Sequence, residues 1–291
     1  MNLHLLRLFA TVAEQGSFSR AASLLYISQP AISKGVQELE RQLGTTLLDR
    51  SGRGVALTEA GETLLPHAQH LFAVERAAET ALEQLEGLER GQLAIGASST
   101  IGIYLLPPLL GRFRQRYPGI RLFLDIGNTQ QIGERLRMTP LDTVFVEGPV
   151  DLPHTEVTPW RDDTLVVIAA PDHPLAGKQR MPLDNVLAEP FVLREGGSGT
   201  RYVIEQALRE RGITLKITME LGSTEAIKQV VSAGLGLAIV SEATIALELQ
   251  AERLAVLDVP ELTLGRVLTQ LHVVGRPPSR ALQAFEALLR E

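Results

Sequence analysis

The stretch from residue 17 to residue 44 constrains the fold more than any other, because it predicts two short helices joined by a tight turn. In the second helix Ile32, Val36 and Leu39 recur at steps of four and three, and Leu43 comes four residues later. This spacing places them on one side of an α-helix, where they are expected to face a core. With an earlier apolar helix, the stretch predicts a small three-helix domain.

The opposite side of the second helix is polar. Gln29, Ser33 and Gln37 recur at steps of four, and Lys34 and Arg41 flank them. Amides, hydroxyls and cations are the groups that contact base edges and phosphates in DNA. A lone polar face of this kind is more often only solvated, so the assignment depends on the next segment of the chain. The predicted ends of the two helices are Ser19 as the start of the shorter one, and Ser28 as N-cap, Pro30 in the first turn and Gly44 as C-cap of the longer one.

Residues 47–58 predict a wing beside this helix. They read as two very short strands around the turn Ser51-Gly52-Arg53-Gly54. In a winged helix-turn-helix such a loop lies against the DNA backbone or minor groove, where Arg50 and Arg53 meet negative potential. The wing therefore favours DNA binding over a solvated face.

The first sixty residues resemble the N-terminal domain of the LysR-type transcriptional regulators along their whole length, notably in GSFSRAA, SQPAIS, LE..LG..L and LTEAG. The resemblance implies a winged helix-turn-helix domain over residues 1–58, with the helix-turn-helix at 18–37. It also implies double-stranded DNA as a partner and RNA polymerase as a further one. We expect Gln29, Pro30 and Ser33 to reach base edges, and Ser28, Lys34, Arg50 and Arg53 to hold phosphates or the minor groove.

Composition sets bounds that agree with this interpretation. The 291 residues contain no cysteine, which excludes disulfides, zinc fingers and thiol catalysis, and no run of eighteen apolar residues. We therefore expect a soluble, cytoplasmic protein with neither a membrane span nor a secretory signal. The net charge is −6, but residues 1–60 hold six basic against five acidic residues, while residues 61–90 hold two against six. A single DNA-binding domain of such weak positive charge is expected to need a second copy.

Residues 59–90 predict a linker helix that supplies this contact. Thr58 can cap it, and Glu59 and Glu62 place acids at the positive end of the helix dipole. We expect a helix pair between subunits of a homodimer or homotetramer; the alternative is an amphipathic helix packed on its own domain. The predicted apolar series, with a four-three rhythm broken once, is Leu64, Ala68, Leu71, Ala78, Leu82 and Leu85.

Residues 91–291 change to short β-rich runs separated by amphipathic segments. This alternation predicts an α/β domain with largely parallel sheets, in two lobes. It resembles the effector domain of the same family, which implies a two-lobed fold like that of the periplasmic solute-binding proteins. The chain is expected to cross between lobes near 161–164 and 265–268, which gives lobe 1 about 91–162 and 267–291, and lobe 2 about 163–266.

Four polar segments in this region come directly after a predicted strand and open a helix. Helix N-termini offer unpaired N–H groups to anions, and crevices open at the carboxyl ends of strands. Each segment alone is more often a plain helix cap, but together they predict a small anionic effector such as a carboxylate, phosphate, sulfate or sulfite, with no other cofactor. GASSTIGIYLLP, GNTQQI and REGGSGTR also resemble the family branch that regulates sulfur assimilation and carbon fixation. The candidate effector residues are Ser99, Thr100, Asn128, Thr129, Glu147, Ser198, Thr200, Arg201 and Thr224.

Glu147 complicates this site, since VFVEGP places an acid at a strand end. It could enter the crevice, pair with Arg201 or discriminate against doubly charged ligands. His154 and His173 are expected at the surface rather than at a metal, and Trp160 could belong to the core or to a pocket rim. Two alternatives to an effector-responsive regulator are weaker: a solute receptor would need export, and an enzyme would need an acid–base pair and the P-loop lysine that GGSGTR lacks.

Overall fold

The computed structural model describes residues 2–49, 55–83, 91–138, 141–149, 152, 155–274 and 277–291. Two compact units divide the chain, residues 1–82 with 137–140 and residues 83–136 with 141–291. The N-terminal unit begins with α1 Leu3–Gln15, α2 Phe18–Leu25 and α3 Gln29–Leu43, followed by β1 Leu48–Asp49 and β2 Ala56–Leu57, which pair antiparallel as a wing base. Phe9, Ile32 and Leu39 are fully buried in the one core that the three helices close, as the spacing predicted.

The ends of α2 and α3 lie close to the predicted residues. The Ser28 hydroxyl accepts a backbone N–H at 3.4 Å, and Gly44 ends α3 in the left-handed region with a φ of 68°. Two expectations are wrong. Ser17 rather than Ser19 caps α2, because α2 already begins at the residue after Ser17. Leu43 is 38% exposed, because α3 ends there, past the turn that packs on the core.

The long helix α4, Glu59–Glu83, packs its first half on the N-terminal core. It begins after Thr58, whose hydroxyl accepts the backbone N–H of Gly61 at 3.1 Å. Leu64 and Ala68 of the predicted series contact the core, and so does Phe72, which the series did not include. The alternative of a helix packed on its own domain therefore holds for this half.

A second side of α4 is exposed. Leu71 is 41% exposed and Val74, three residues later, is 55% exposed, while Ala78 is also exposed. Residues three apart lie side by side on a helix. The side chain of Leu82 and the whole of Leu85, the last two positions of the predicted series, lie outside the described residues.

The second unit is an α/β domain. Among its described residues, no helix combines the length and apolar character needed to cross a bilayer. Its strands are β3 Gly91–Ser98, β4 Ile120–Gly127, β5 Thr143–Glu147, β6 Thr155–Ala169, β7 Pro190–Arg194, β8 Lys216–Leu221, β9 Ala238–Ser241, β10 Ala255–Leu257 and β11 Leu264–Val273. Its helices are a π-helical turn Ile101–Leu105 that runs into α5 Leu106–Arg116, then α6 Thr129–Met138, α7 Leu183–Leu187, α8 Gly199–Glu210, α9 Thr224–Ser232, α10 Ala246–Gln250 and α11 Arg280–Leu289.

One seven-stranded sheet runs through this unit, in the order β10-β6-β11-β5-β3-β4 with β9 also paired to β6. We call the part built on β3–β5, α5, α6 and α11 lobe 1, and the part built on β7–β10 and α7–α10 lobe 2. Phe113, Phe145 and Phe285 are fully buried in lobe 1, and Phe191 and Leu237 in lobe 2. The long strands β6 and β11 belong to both lobes.

The expectation of largely parallel sheets is wrong. Among the described strands, parallel pairing joins β3 to β4 and β5, and β7 to β8, whereas β6 and β11 pair antiparallel with each other and with every other neighbour. The reason is that β6 leaves lobe 1 for lobe 2 and β11 returns beside it in the opposite direction. Asp163 lies opposite Arg266 in this shared ladder.

Candidate DNA-binding surface and interlobe site

The side of α3 that faces away from the core carries the predicted DNA-contacting residues. Ser28, Gln29, Pro30 and Lys34 are exposed, and Ser33 is half-buried. They occupy the start of the helix, the part that reaches base edges when a helix-turn-helix docks in the major groove. The other two predicted contacts, Arg50 and Arg53, lie outside the described residues.

Arg41 was expected to add a positive charge to this surface, but it is paired with an acidic residue of the same helix. The guanidinium binds the Glu38 carboxylate through two hydrogen bonds, of 2.8 and 2.6 Å. These bonds, with one from Gln42, lower the pKa of Glu38 to about 2. Because Glu38 balances Arg41, Lys34 is the cation that the described part of α3 can offer to a phosphate.

In the second unit, predicted effector residues converge where strands end and helices begin. Glu147 ends β5 and Thr129 begins α6 in lobe 1, whereas Ser198 caps α8 of lobe 2 and Thr200 lies in its first turn. Carboxyl ends of parallel strands meet at one edge of a sheet, so these groups meet in a crevice. We call this set of contacts the interlobe crevice.

Glu147 lies at the centre of the interlobe crevice and is 1% exposed. Its carboxylate accepts hydrogen bonds from Ser98 of lobe 1 and from Thr200 of lobe 2, the latter at 3.2 Å. Thr200 in turn accepts a hydrogen bond of 2.9 Å from Arg266, which is ion-paired with Asp163 at 2.7 Å. Hydroxyls of both lobes therefore do converge on one anion, and that anion is a side chain of the protein.

Backbone contacts close the crevice beside Glu147. The Gly199 N–H donates to the Thr129 hydroxyl at 3.2 Å, and that hydroxyl donates to the Glu147 carbonyl at 3.1 Å. Nearby, the Gln130 N–H donates to the Gly197 carbonyl at 3.1 Å. A side chain at Gly199 would overlap the Glu147 carbonyl, so only glycine allows the lobes to approach this closely.

A second polar group joins the lobes through Asn128, whose amide donates to Glu195 at 3.2 Å. The guanidinium of Arg194, 4% exposed, donates to the same carboxylate at 2.7 and 2.9 Å, and to Thr224 at 3.2 Å. Burial alone would raise the pKa of Glu195, but the hydrogen bonds and charge of Arg194 outweigh burial and lower it. This buried cation is thus already neutralised inside lobe 2.

Arg201 points away from Glu147. It is held at 2.6 Å from Glu205, at 2.5 Å from Glu220 and at 3.0 Å from the carbonyl of Arg194. The suggested Glu147–Arg201 pair is therefore wrong, because α8 directs this side chain toward its own next turn and toward β8. Arg201 instead lines a neighbouring cavity of about 520 Å³ that reaches the starts of α6 and α8.

The segment after β3 carries two hydroxyls, one of which makes a hydrogen bond within the described part of the chain. Ser99 donates to the Gly127 carbonyl at 3.1 Å. Thr100 is 2% exposed, and its hydroxyl makes no hydrogen bond within the described part of the chain. Thr100 is therefore a candidate donor to a bound ligand.

A further contact between the lobes was not predicted. Tyr104, in the π-helical turn of lobe 1, donates to Glu225 of lobe 2. Lys228, with its side chain 3% exposed, lies 2.8 Å from Glu225, 2.7 Å from Glu248 and 5.0 Å from the Tyr104 ring centre. Burial, followed by the bond to Glu225, raises the pKa of Tyr104 to about 12. The phenol therefore stays a donor at neutral pH.

Sequence reasoning also missed Arg194 and Arg266, the two buried cations of the crevice. A signal was present for both, because each interrupts an apolar strand, FVLRE and LGRVL, and arginine is seldom buried unless paired. Tyr104 carried no comparable signal, since an aromatic residue in an apolar helix is ordinary core.

The remaining sequence candidates are Trp160, His173 and His154. Trp160 packs edge-on against Phe145 with ring centres 4.7 Å apart and also lines a cavity of about 560 Å³, so it belongs both to the lobe 1 core and to a pocket rim. His173 lies 3.8 Å from Glu189 in a loop, and His154 is outside the described residues. Within the described ranges, no group of three or more His, Cys, Asp or Glu residues is arranged to hold a metal ion.

Comparison with known proteins agrees with this division of the chain. Residues 3–62 match the model of the bacterial regulatory helix-turn-helix proteins of the lysR family, and residues 86–291 match that of the LysR substrate-binding domain. A RuBisCO operon transcriptional regulator of Allochromatium vinosum is 42% identical over 285 residues, 98% of this chain and 94% of the relative. The HTH-type transcriptional activator CmpR of Synechocystis is 39% identical, over 97% of this chain and 93% of CmpR.

Two solved structures extend the comparison. The regulatory domain of Synechocystis CcmR in complex with 2-PG is 35% identical with a TM-score of 0.64, and the match covers 68% of this chain and 95% of that domain. Full-length CbnR in complex with its target DNA is 22% identical with a TM-score of 0.73, over 100% and 99% of the two chains, which shows a common fold. By its two matching domains and these relatives, the chain belongs to the LysR family of transcriptional regulators, in the branch of the carbon-fixation regulators.

Proposed function

We propose that this regulator binds, between its two lobes, a small oxyanion that presents a proton or hydroxyl to Glu147. The observation that carries the proposal is the convergence of Ser98 and Thr200, from opposite lobes, on that one buried carboxylate. Such hydroxyls can turn to a ligand oxygen, because a hydroxyl both donates and accepts. The hydroxyl of Thr100 and the first turns of α6 and α8 add further donors.

The charges around the crevice restrict the ligand. Arg194 is neutralised by Glu195 and Arg266 by Asp163, whereas Glu147 is held by hydroxyls. A fully deprotonated dianion placed beside Glu147 meets like charge, at a cost on the order of a few kcal/mol. A ligand that keeps an acidic hydrogen or a hydroxyl can donate to Glu147 instead. This favours phosphate compounds, and carboxylates that also carry a hydroxyl, over sulfate.

The relatives suggest the first compound to test. The CcmR regulatory domain is in complex with 2-PG, and 2-phosphoglycolate carries both a phosphate and a carboxylate. Its phosphate has a second pKa of about 6 and is mainly a dianion at pH 7, so it must take up a proton on binding in order to donate to Glu147; sulfate is a much weaker base and takes up a proton far less readily. We propose 2-phosphoglycolate, or a compound of the same class, as the effector of this chain.

The proposal extends to assembly on DNA. A homodimer or homotetramer would join through the exposed side of α4 at Leu71 and Val74, and would place two copies of α3 on half-sites one helical turn apart. Gln29, Pro30 and Ser33 would read bases, while Lys34 would hold a phosphate. Acting at a promoter in the cytoplasm, such an assembly would meet RNA polymerase.

Calorimetry on the full-length protein tests the effector proposal, with 2-phosphoglycolate, phosphate, sulfite and sulfate as separate titrants. We expect 2-phosphoglycolate to bind and sulfate not to bind. The Glu147→Gln variant should lose this discrimination, because its amide can donate to a fully deprotonated oxygen. Glu210→Gln, an exposed position at the far end of α8, is the matched control. Equal sulfate and phosphate binding in the wild type, unchanged by Glu147→Gln, would contradict the proposal.

A further inference from the structure

The base of the wing is hydrogen-bonded at Leu47 to two helices, α3 and α4. Glu40, on the third helix α3, accepts the backbone N–H groups of Leu47 at 2.8 Å and of Leu48 at 3.2 Å through a single carboxylate oxygen. Both leucines are 1% exposed, and Leu48 is the first residue of β1. Hydrogen bonds to a charged acceptor are about twice as strong as neutral ones. Helix α3, which we call the recognition helix, therefore holds the first strand of the wing directly.

The linker helix α4 is attached to the same segment from the other side. The Thr58 N–H donates to the Leu47 carbonyl at 3.0 Å, and the Thr58 hydroxyl donates to the Thr46 carbonyl at 2.7 Å. A side chain at Gly61, in the first turn of α4, would overlap that Leu47 carbonyl and approach Leu57 of β2. Leu47 thus gives its N–H to α3 and its carbonyl to the start of α4.

The rest of α4 is fixed to α1, so its start cannot shift independently. Arg7 lies 4.1 Å from the Phe72 ring centre and is ion-paired with Glu75, and Gln69 donates to Glu14 at 3.1 Å. These contacts lie along almost two turns of α4. A rotation of the linker helix must therefore displace α1, the wing base or both.

We propose that Glu40, Thr58 and Gly61 form a coupling junction, through which the direction of the linker helix sets the distance between the wing and the recognition helix. The proposal rests on the DNA-binding surface of α3. It gives a mechanical role to the LE..LG and LTEAG motifs, which lie outside the predicted DNA contacts. A regulator that rearranges its subunits would use this junction to bring the wing onto the minor groove or lift it away, with α3 still in the major groove.

The test compares Gly61→Ala with Gly111→Ala, a glycine within α5 whose added methyl group meets open space. The probe is a duplex selected from a randomised pool by the wild-type full-length protein. Folding is checked by circular dichroism and melting. Methylation protection at guanine N7 reports the major groove, and hydroxyl-radical footprinting reports the sugars along the minor groove.

For Gly61→Ala we expect a folded protein that keeps its major-groove protection, loses the flanking minor-groove protection and binds on the order of tenfold more weakly. The salt dependence should fall by about one or two phosphate contacts. Gly111→Ala should match the wild type in every readout. If Gly61→Ala does not fold, Thr58→Val and Glu40→Gln must show the same split footprint.

Two results would overturn the coupling junction. One is an unchanged footprint in a folded Gly61→Ala protein, and the other is loss of both protections together in a folded variant. If instead α3 is not the DNA-binding surface, the wild-type protein itself would give no guanine N7 protection on the selected duplex, so the two failures can be distinguished.

Discussion

Replacing Thr200 by valine removes a hydroxyl that two charged side chains of the interlobe crevice share. The hydroxyl donates to Glu147 at 3.2 Å and accepts from Arg266 at 2.9 Å, and Thr200 is 4% exposed. Valine has nearly the same shape, so the core around it is preserved. A buried N–H of Arg266 is then left without this acceptor, and Glu147 loses one of its two hydroxyl donors.

The expected cost comes from the loss of these two bonds. Leaving a buried polar group without its partner costs about 1 to 3 kcal/mol, and more for charged groups. In a domain of about 200 residues each kcal/mol lowers the melting temperature by about 2 to 4 °C. Effector binding should weaken about tenfold or more, since a hydrogen bond to a charged ligand contributes roughly 1.5 to 3 kcal/mol.

Differential scanning calorimetry of the full-length protein measures the first effect, and titration with 2-phosphoglycolate measures the second. Thr200→Ser is the matched control, because serine keeps the hydroxyl and should restore both values to near wild type. If Thr200→Val has the melting temperature of the wild type and binds 2-phosphoglycolate with the same affinity, the shared hydroxyl does not join the lobes, and the reasoning fails.

Three further outcomes are expected. Gln29→Ala should cost roughly 1 to 3 kcal/mol at one base pair of a half-site, whereas Lys34→Ala should weaken binding to all sequences alike, as gel-shift titrations with selected and random duplexes would show. Tyr104→Phe should remove the phenol whose pKa is raised to about 12, which ultraviolet absorbance would show as the loss of one titrating tyrosine. Since the folded pKa lies above the ordinary value of 10, the contribution of this phenol to the free energy of unfolding is complete below pH 10 and is lost as the pH rises through 12. The double variant Leu71→Glu, Val74→Glu should give a smaller molecular mass by light scattering. An unchanged mass would mean that α4 packs only within its own chain.

Local features of the DNA-binding domain were predictable from the sequence. Ser28 and Gly44 end α3 as expected, because a cap depends on the conformation of its own few residues. The error at Ser17 and Ser19 has the same origin, since either serine can cap a helix and the choice depends on the packing of Phe18 against the core. Helix ends are themselves defined only to within about one or two residues.

Contacts between distant segments were only half predictable. The polar residues at strand ends could be placed in one crevice, because parallel strands end at the same edge of a sheet. Their partners could not be chosen: Arg201 was the cation beside the glycine-rich turn, yet Arg266, on a strand near the other end of the chain, bonds to Thr200. Only the three-dimensional path of β11 brings that residue into the crevice.

The antiparallel β6–β11 ladder escaped prediction for a similar reason. The apolar half of β6, TLVVIAA, is evident from Thr164 onward, but the half before it, TEVTPWRDD, contains charges and a proline and does not alternate cleanly. In the structure that half is paired with β11 and partly exposed, so it needed no buried pattern. A strand that belongs to two lobes therefore has an apolar sequence in one half and a mixed polar sequence in the other.

The position of α11 has a consequence for how the protein is made. Phe285 on α11 packs at 5.5 Å from Phe113 and at 6.4 Å from Phe145, so the core of lobe 1 is completed by a helix that comes after all of lobe 2 in the chain. During synthesis, lobe 2 can close while lobe 1 still exposes an unfilled apolar surface. Phe145 of that core and Glu147 of the crevice both lie on β5, so lobe 1 carries its half of the crevice on an incomplete core until α11 has been made. The effector site that we propose therefore depends on a helix that the ribosome delivers only after all of lobe 2.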